Sequence, residues 1–227
     1  MGGRQQGRSP NVRCRIVAKD FNNDKRPDLF AATPPLDFLR YLVSRCASSQ
    51  LSTRKTKLMV QDVKKAYFYA PATRDVYVDL PPERAQPGMC AKLHKSLYGT
   101  RDEALNWAQA YPEVLEGMGF VKGRSSPCSF FHEGWGIRTV VHGDDFLSEG
   151  PGDSLKAMDT DMRKSFALKT GILGGDVGDV QSLTVLNRQI SWKDGAIHWE
   201  ADPRHVEILA RHLGLEGTTP VKTPGDK

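Results

Sequence analysis

Three carboxylates stand where a folding chain has reason to avoid them. Asp62 interrupts the apolar run KLMVQDV at Lys57 to Val63, and Asp144 and Asp145 adjoin one another between two short apolar segments. An ionised carboxylate inside a strand is costly unless it is paired, lies at the exposed strand end, or binds a metal. Neighbouring carboxylates repel, and that charge is useful where divalent cations and phosphates gather. Mg²⁺ takes one or two protein carboxylates and fills its shell with substrate phosphates. Two such ions about 4 Å apart activate an attacking hydroxyl and stabilise a leaving pyrophosphate. A structural reading stands beside this one, because Gly and Asp are ordinary turn residues.

Elements must hold these groups. Lys57 to Val63 reads as a strand, and Ile137 to Val141 with Phe146-Leu147 reads as a β-hairpin whose turn, His142-Gly143-Asp144-Asp145, holds both acids. Upstream, VRCRIVAKDF at Val12 to Phe21 alternates charged and apolar residues as a half-exposed strand does, carrying Arg13, Arg15 and Lys19. Leu36 to Cys46 follows Pro34-Pro35 as a helix with Leu36, Leu39, Leu42 and Val43 on one face. Val76 to Leu80 is a strand stopped by Pro81-Pro82. A helix over Glu103 to Met118 places Trp107, Tyr111 and Leu115 in the core. Another spans Ser154 to Phe166, with Ser154 as N-cap. Strands at Leu183 to Ile190 and Ala196 to Trp199 flank a Lys193-Asp194-Gly195 turn, and a last helix runs from Pro203 to Leu213.

The chain has 227 residues and a net charge of +5, unevenly placed. Residues 1–65 hold 14 Lys or Arg against 5 Asp or Glu, which makes an anionic partner an expectation for that part. No apolar stretch approaches the roughly 20 residues of a membrane span. Residues 1–10 read as a flexible basic leader, without the apolar core of a secretory signal. The cysteines, at 14, 46, 90 and 128, lack metal-site spacing, so inert thiols in a reduced intracellular compartment are expected.

The order of motifs resembles the reverse transcriptase domain of copia-type long-terminal-repeat retrotransposons. VRCRIVAKDF is similar to that family's basic strand ending in Arg-Leu-Val-Ala-Lys-Gly-Phe. Val60 to Tyr67, VQDVKKAY, is similar to Gln-Met-Asp-Val-Lys-x-Ala-Phe around its first catalytic aspartate. VYVDLPP at Val76 to Pro82 and KLHKSLYG at Lys92 to Gly99, with Trp107 eight residues on, continue the likeness. His142-Gly143-Asp144-Asp145 falls on the family's Tyr-Val-Asp-Asp hairpin, and the likeness extends over about residues 11–225.

The resemblance implies an α+β fold: a right-hand polymerase palm with an antiparallel sheet backed by helices, partial fingers (11–56), palm (mostly 57–170), and a palm end with a small thumb-like connection (171–225). It implies an RNA-directed DNA polymerase in which Asp62 and Asp144, assisted by Asp145, hold two Mg²⁺ ions, with Mn²⁺ as a substitute. The partners would be dNTP and an RNA or DNA template-primer. Ribonuclease H or integrase partners, missing from this chain, would be further expectations of the resemblance. Arg15 and Lys19 would approach the triphosphate, Tyr67 would lie under the sugar, and Asp102, His142 and Gly143 would complete the substrate contacts. The chain departs from the family at two of these places. Gly99-Thr100-Arg101-Asp102-Glu103-Ala104 replaces Gly-Leu-Lys-Gln-Ala-Pro, exchanging a nucleotide-contacting glutamine for an acid, and His142-Gly143 replaces Tyr-Val. The alternative reading is a catalytically silent nucleic-acid-binding remnant that uses the basic part on phosphates.

Overall fold

The computed structural model describes residues 16–21 and 26–218. Its chain forms two compact units, one of Met1–Ala31 with Ala66–Tyr111 and one of Ala32–Lys65 with Pro112–Lys227. The chain leaves its main sheet after Lys65, at φ 58°, and a whole segment intervenes before it returns. The basic leader, Arg13 and Arg15 lie outside the described residues.

The larger unit begins with α1 (Leu36–Ser49) and β1 (Lys57–Val63). After the intervening segment come β4 (Val121–Lys122), β5 (Ser129–His132), β6 (Ile137–His142) and β7 (Asp145–Gly150). Then follow α3 (Gly152–Ser165), β8 (Leu168–Leu173), β9 (Ser182–Val185), β10 (Arg188–Lys193), β11 (Ala196–Ala201) and α4 (Pro203–His212). One six-stranded sheet has the order β4-β5-β6-β7-β1-β8, with every neighbouring pair antiparallel. Alternation along β1 sorts its side chains between two faces. Leu58 and Val60 pack with Val140, Leu147 and Leu173 against Leu39, Leu42, Val43 and Cys46 of α1 and against Val185 and Ile190 of the second sheet, β9-β10-β11. Met59, Gln61 and Val63 face the other way, where Ser148 of β7 donates to the Met158 sulfur of α3 at 3.7 Å. Each large aliphatic side chain taken from water on these faces contributes about 1.5–3 kcal/mol, which holds the sheet between its two covers.

Several element boundaries differ from the sequence reading, each for a local reason. α3 starts at Gly152 with Pro151 in the N-cap position and no capping side chain, two residues before Ser154. The expected strand from Leu183 to Ile190 is two strands, because Leu186 (φ 46°) and Asn187 (φ 58°) form a tight left-handed turn. Leucine at positive φ is uncommon, which hides this turn from composition. The next turn, Asp194-Gly195 with φ 52° and 76°, has the residues such hairpins favour and is legible in sequence. Strand β8 has no counterpart in the sequence reading.

In the smaller unit the expected strand at Val76 to Leu80 contracts to β2 (Tyr77–Val78), which pairs with β3 (Ala91–Lys92). The described part of the expected strand at Val12 to Phe21, residues 16–21, forms no regular element. Its Ala18 N–H donates to the Tyr98 carbonyl at 2.7 Å. Gly99 makes that approach feasible: it sits at φ 87°, and a Cβ there would collide with the Ala18 carbonyl. The helix α2 (Glu103–Gly117) crosses the unit boundary and carries Trp107 and Tyr111, both buried as expected.

Candidate active site

The sheet register assembles the acids. Asp62 follows Leu58 and Val60 on the α1 face, but at the end of β1 it lies beyond their apolar cover and is half-buried. Its cross-strand partner in β7 is Asp145, and its partner in β8 is Lys169. Asp145 in turn faces His142 of β6. Directly opposite residues of antiparallel strands share a face. His142, Asp145, Asp62 and Lys169 therefore form one row across four strands.

The hairpin that delivers Asp145 closes in two residues, Gly143 and Asp144, so Asp145 opens β7 rather than occupying the turn as the sequence suggested. Gly143 at φ 62° followed by Asp144 at negative φ is the pattern of a type II′ turn, which calls for glycine first. Both turn residues are exposed, and the Asp144 carbonyl accepts from the Val63 N–H at 2.9 Å, tying the turn to β1 beside Asp62.

The row's charge pattern shows in Asp145. Burial, and then the charges of Asp144 and Asp62, push its carboxyl up to about 6, with His142 opposing the rise. The burial has a visible source: an apolar recess lined by Pro35, Leu36, Leu39, Val185 and Leu186 also borders His142 and Asp145. Among the described residues no group of three or more His, Cys, Asp or Glu side chains is placed to hold a metal ion by itself. The arrangement is instead two carboxylates in register with a third in the adjoining turn. Hard oxygen donors in this number suit Mg²⁺ when phosphates complete the shell, and a divalent cation would relieve the repulsion that raises Asp145.

The remaining predicted site residues belong to the smaller unit. Lys19 is exposed. Tyr67 is half-buried and meets the Tyr98 ring edge-on at 5.0 Å between centroids. Asp102 is only 2% exposed. One of its oxygens accepts from Arg74 at 3.1 Å and the other from the Asn106 amide at 3.1 Å. Arg74 also pairs with Asp20. The Asp102 charge is therefore compensated inside the unit and its side chain is not presented to solvent. Glu103 beside it accepts from the Gly99 N–H at 2.8 Å, so it too is engaged locally.

The model of the family described as reverse transcriptase (RNA-dependent DNA polymerase) matches residues 5–182. The chain belongs to that family. Over 222 residues, 93% of its length, this reverse transcriptase domain is 25% identical to the Retrovirus-related Pol polyprotein from transposon TNT 1-94 of Nicotiana tabacum. Over 143 residues, 61% of the chain, it is 29% identical to the Retrovirus-related Pol polyprotein from transposon RE1 of Arabidopsis thaliana. Those matches span 16% and 10% of the respective polyproteins. Among solved structures it is similar to apo telomerase from Candida tropicalis truncated from the C-terminal domain, with 10% identity, 74% of this chain and 40% of that chain covered, and a TM-score of 0.41. The retrotransposon relatives agree with the copia-type motifs, and the helix-backed antiparallel sheet is the α+β, palm-like architecture expected of them.

Within the reverse transcriptase domain, Lys169 is the row member that sequence reasoning missed as a site residue. It sits 107 positions from Asp62 in the chain and becomes its neighbour only through the β1–β8 register. Strand β8 was itself unrecognised, so no pattern in the sequence pointed to the pairing.

Proposed function

We propose that this domain catalyses RNA-directed DNA synthesis, joining a dNTP to a primer 3′-hydroxyl. The observation that carries the reading is the Asp62–Asp145 pair in direct register, with Asp144 beside it in the hairpin turn, in a member of the reverse transcriptase family. Asp62, Asp144 and Asp145 would hold Mg²⁺, for which Mn²⁺ is the natural substitute. The bound ions supply charge that lowers the pKa of the attacking hydroxyl and stabilises the departing pyrophosphate. The primer 3′-oxygen forms a bond to the α-phosphorus as the bond to pyrophosphate breaks. The chain's own residues fix this geometry: β1 and β7 hold the two facing acids, and the Asp144–Val63 backbone bond anchors the turn. Lys169 adds a cation one strand beyond Asp62, where negative charge from phosphates would collect. Lys19 and Tyr67 keep the dNTP-contacting roles that the family motifs give them, to be read in the KM for dNTP.

The test is steady-state extension of a primed homopolymer with Mg²⁺, comparing the parent with Asp62→Asn and Asp144→Asn. The parent should extend and both variants should not. Parental extension left unchanged by Asp144→Asn would exclude the centre. The basic balance of residues 1–65 favours the second reading, a silent binder of nucleic acid. A parent that does not extend but binds template-primer with an affinity falling steeply in salt would establish it.

A further inference from the structure

Directly behind the row, on the other face of the sheet, lies a polar cluster that neither the family motifs nor the proposed chemistry uses. Gln61 precedes Asp62, and alternation turns it to the opposite face, where it is fully buried. In the family pattern Gln-Met-Asp this position is apolar. Its amide nitrogen donates to Oδ1 of Asp159 on α3 at 2.9 Å, while its amide oxygen has no hydrogen-bond partner. The cross-strand partner of Gln61 in β8 is Thr170, the residue after Lys169. The Thr170 hydroxyl donates to the same Asp159 oxygen at 2.5 Å. Arg163, one helical turn on in α3, donates to Asp159 Oδ2 at 2.8 Å, to the Thr170 hydroxyl at 2.9 Å and to the Leu168 carbonyl at 3.2 Å.

A single carboxylate oxygen thus grips two strands at the register pair adjoining Asp62 and Lys169. We propose that Asp159 is a positioning residue that fixes the carboxylate row from behind, clamping β1 to β8 through Gln61 and Thr170. An apolar residue at position 61 would fill the same space without a bare amide oxygen, so bulk packing does not account for the arrangement. What the clamp supplies is direction. Gln61 and Thr170 must both point at Asp159, and that sets where Asp62 and Lys169 emerge on the opposite face. Its consequence for catalysis rests on the polymerase reading, whereas the clamp itself rests on the hydrogen bonds alone.

Two measurements on the full chain separate those layers: amide hydrogen exchange, and Mn²⁺ affinity from titration well below the melting temperature. Asp159→Ala leaves the Gln61 amide with no partner at either end. It should raise exchange about tenfold at residues 60–64 and 168–171 while leaving the β6–β7 ladder unchanged, and it should weaken Mn²⁺ binding about fivefold. Adding Gln61→Met, the family's residue, should return protection to residues 60–64 and recover most of the Mn²⁺ affinity. Thr170→Val, which keeps the shape and removes one arm, should show the same local pattern at smaller amplitude if Asp159→Ala does not fold. Uniform acceleration across the whole sheet would overturn the proposal, as would local acceleration with unchanged Mn²⁺ affinity in a chain whose binding depends on Asp62. If the parent neither binds Mn²⁺ nor extends a primer, and exchange still rises only locally, the polymerase reading falls and the clamp stands.

Discussion

Removing the charge of Asp145 should make the metal-free domain more stable at neutral pH and leave it unaffected in acid. In the fold this carboxyl is raised from 3.8 to about 6. Between those values the folded chain holds a proton that the unfolded chain releases. The stabilisation from protonated Asp145 is therefore complete below pH 3.8 and is lost as pH rises through 6. The gap corresponds to about 3 kcal/mol in full, and partial solvent screening of this half-buried group brings the expectation to about 1–3 kcal/mol. For a chain of this size that is about 2–12 °C in Tm. The assay is thermal melting by circular dichroism in EDTA from pH 4 to 8, on the parent, Asp145→Asn and Asp62→Asn. The parent and Asp145→Asn should coincide near pH 4, where both side chains are neutral, and diverge towards pH 7.5 with Asp145→Asn the more stable. Asp62→Asn removes the third-ranked cause and leaves burial, the largest, so the parent's inflection should move towards acid without disappearing. Mn²⁺ added at pH 7.5 should stabilise the parent more than Asp145→Asn. A pH-independent offset between parent and Asp145→Asn, or a parent more stable than the variant at pH 7.5, would refute the reasoning.

Three further perturbations probe the elements that hold the row and the smaller unit. Gly143→Val, which restores the family's residue, places a β-branched side chain at φ 62° and should cost about 1–3 kcal/mol in urea denaturation. Asp102→Ala breaks a half-buried pair and leaves Arg74 with Asp20 alone; a loss of about 1–3 kcal/mol is expected, with no gain in dNTP affinity in the extension assay. Lys57 pairs with Asp179, whose side chain is 5% exposed, at 2.5 Å and with the exposed Asp176 at 2.6 Å. Lys57→Met should lower stability by about 1–3 kcal/mol and raise hydrogen exchange first at residues 174–180.

What was legible in sequence follows from where the controlling forces act. The strand of Asp62, the helix starting at Leu36 and the hairpin before Asp144 depend on local periodicity and on glycine in the turn, and each is found within a few residues of its expected place. Lys169 and Asp159 were invisible because they matter through pairings made between residues about a hundred positions apart. Strand β8 reads LKTGIL, with a lysine and a glycine where a strand pattern wants β-branched or aromatic residues, so its partner β1 supplies the order. The Leu186-Asn187 turn was hidden for the opposite reason: tertiary packing of Leu186 against the core tolerates a conformation that its side chain disfavours alone.

The departures from the family motif bear on whether this fold is maintained or decaying. A decaying sequence accumulates buried polar residues without partners, since nothing selects the compensating change. Here Asp102 enters a buried position with Arg74 and Asn106 already arranged on its two oxygens. Gln61 enters another with Asp159 on its amide, although its oxygen remains unpaired. Gly143 occupies a backbone conformation in which valine would be strained. Asp102 and Gly143 are matched to their surroundings and Gln61 at its amide nitrogen alone, and two of these changes adjoin members of the carboxylate row while none removes one. In the polymerase reading proposed above, the stability of the Asp62–Asp145 pairing, rather than the mere presence of three acids, is the property on which activity would turn.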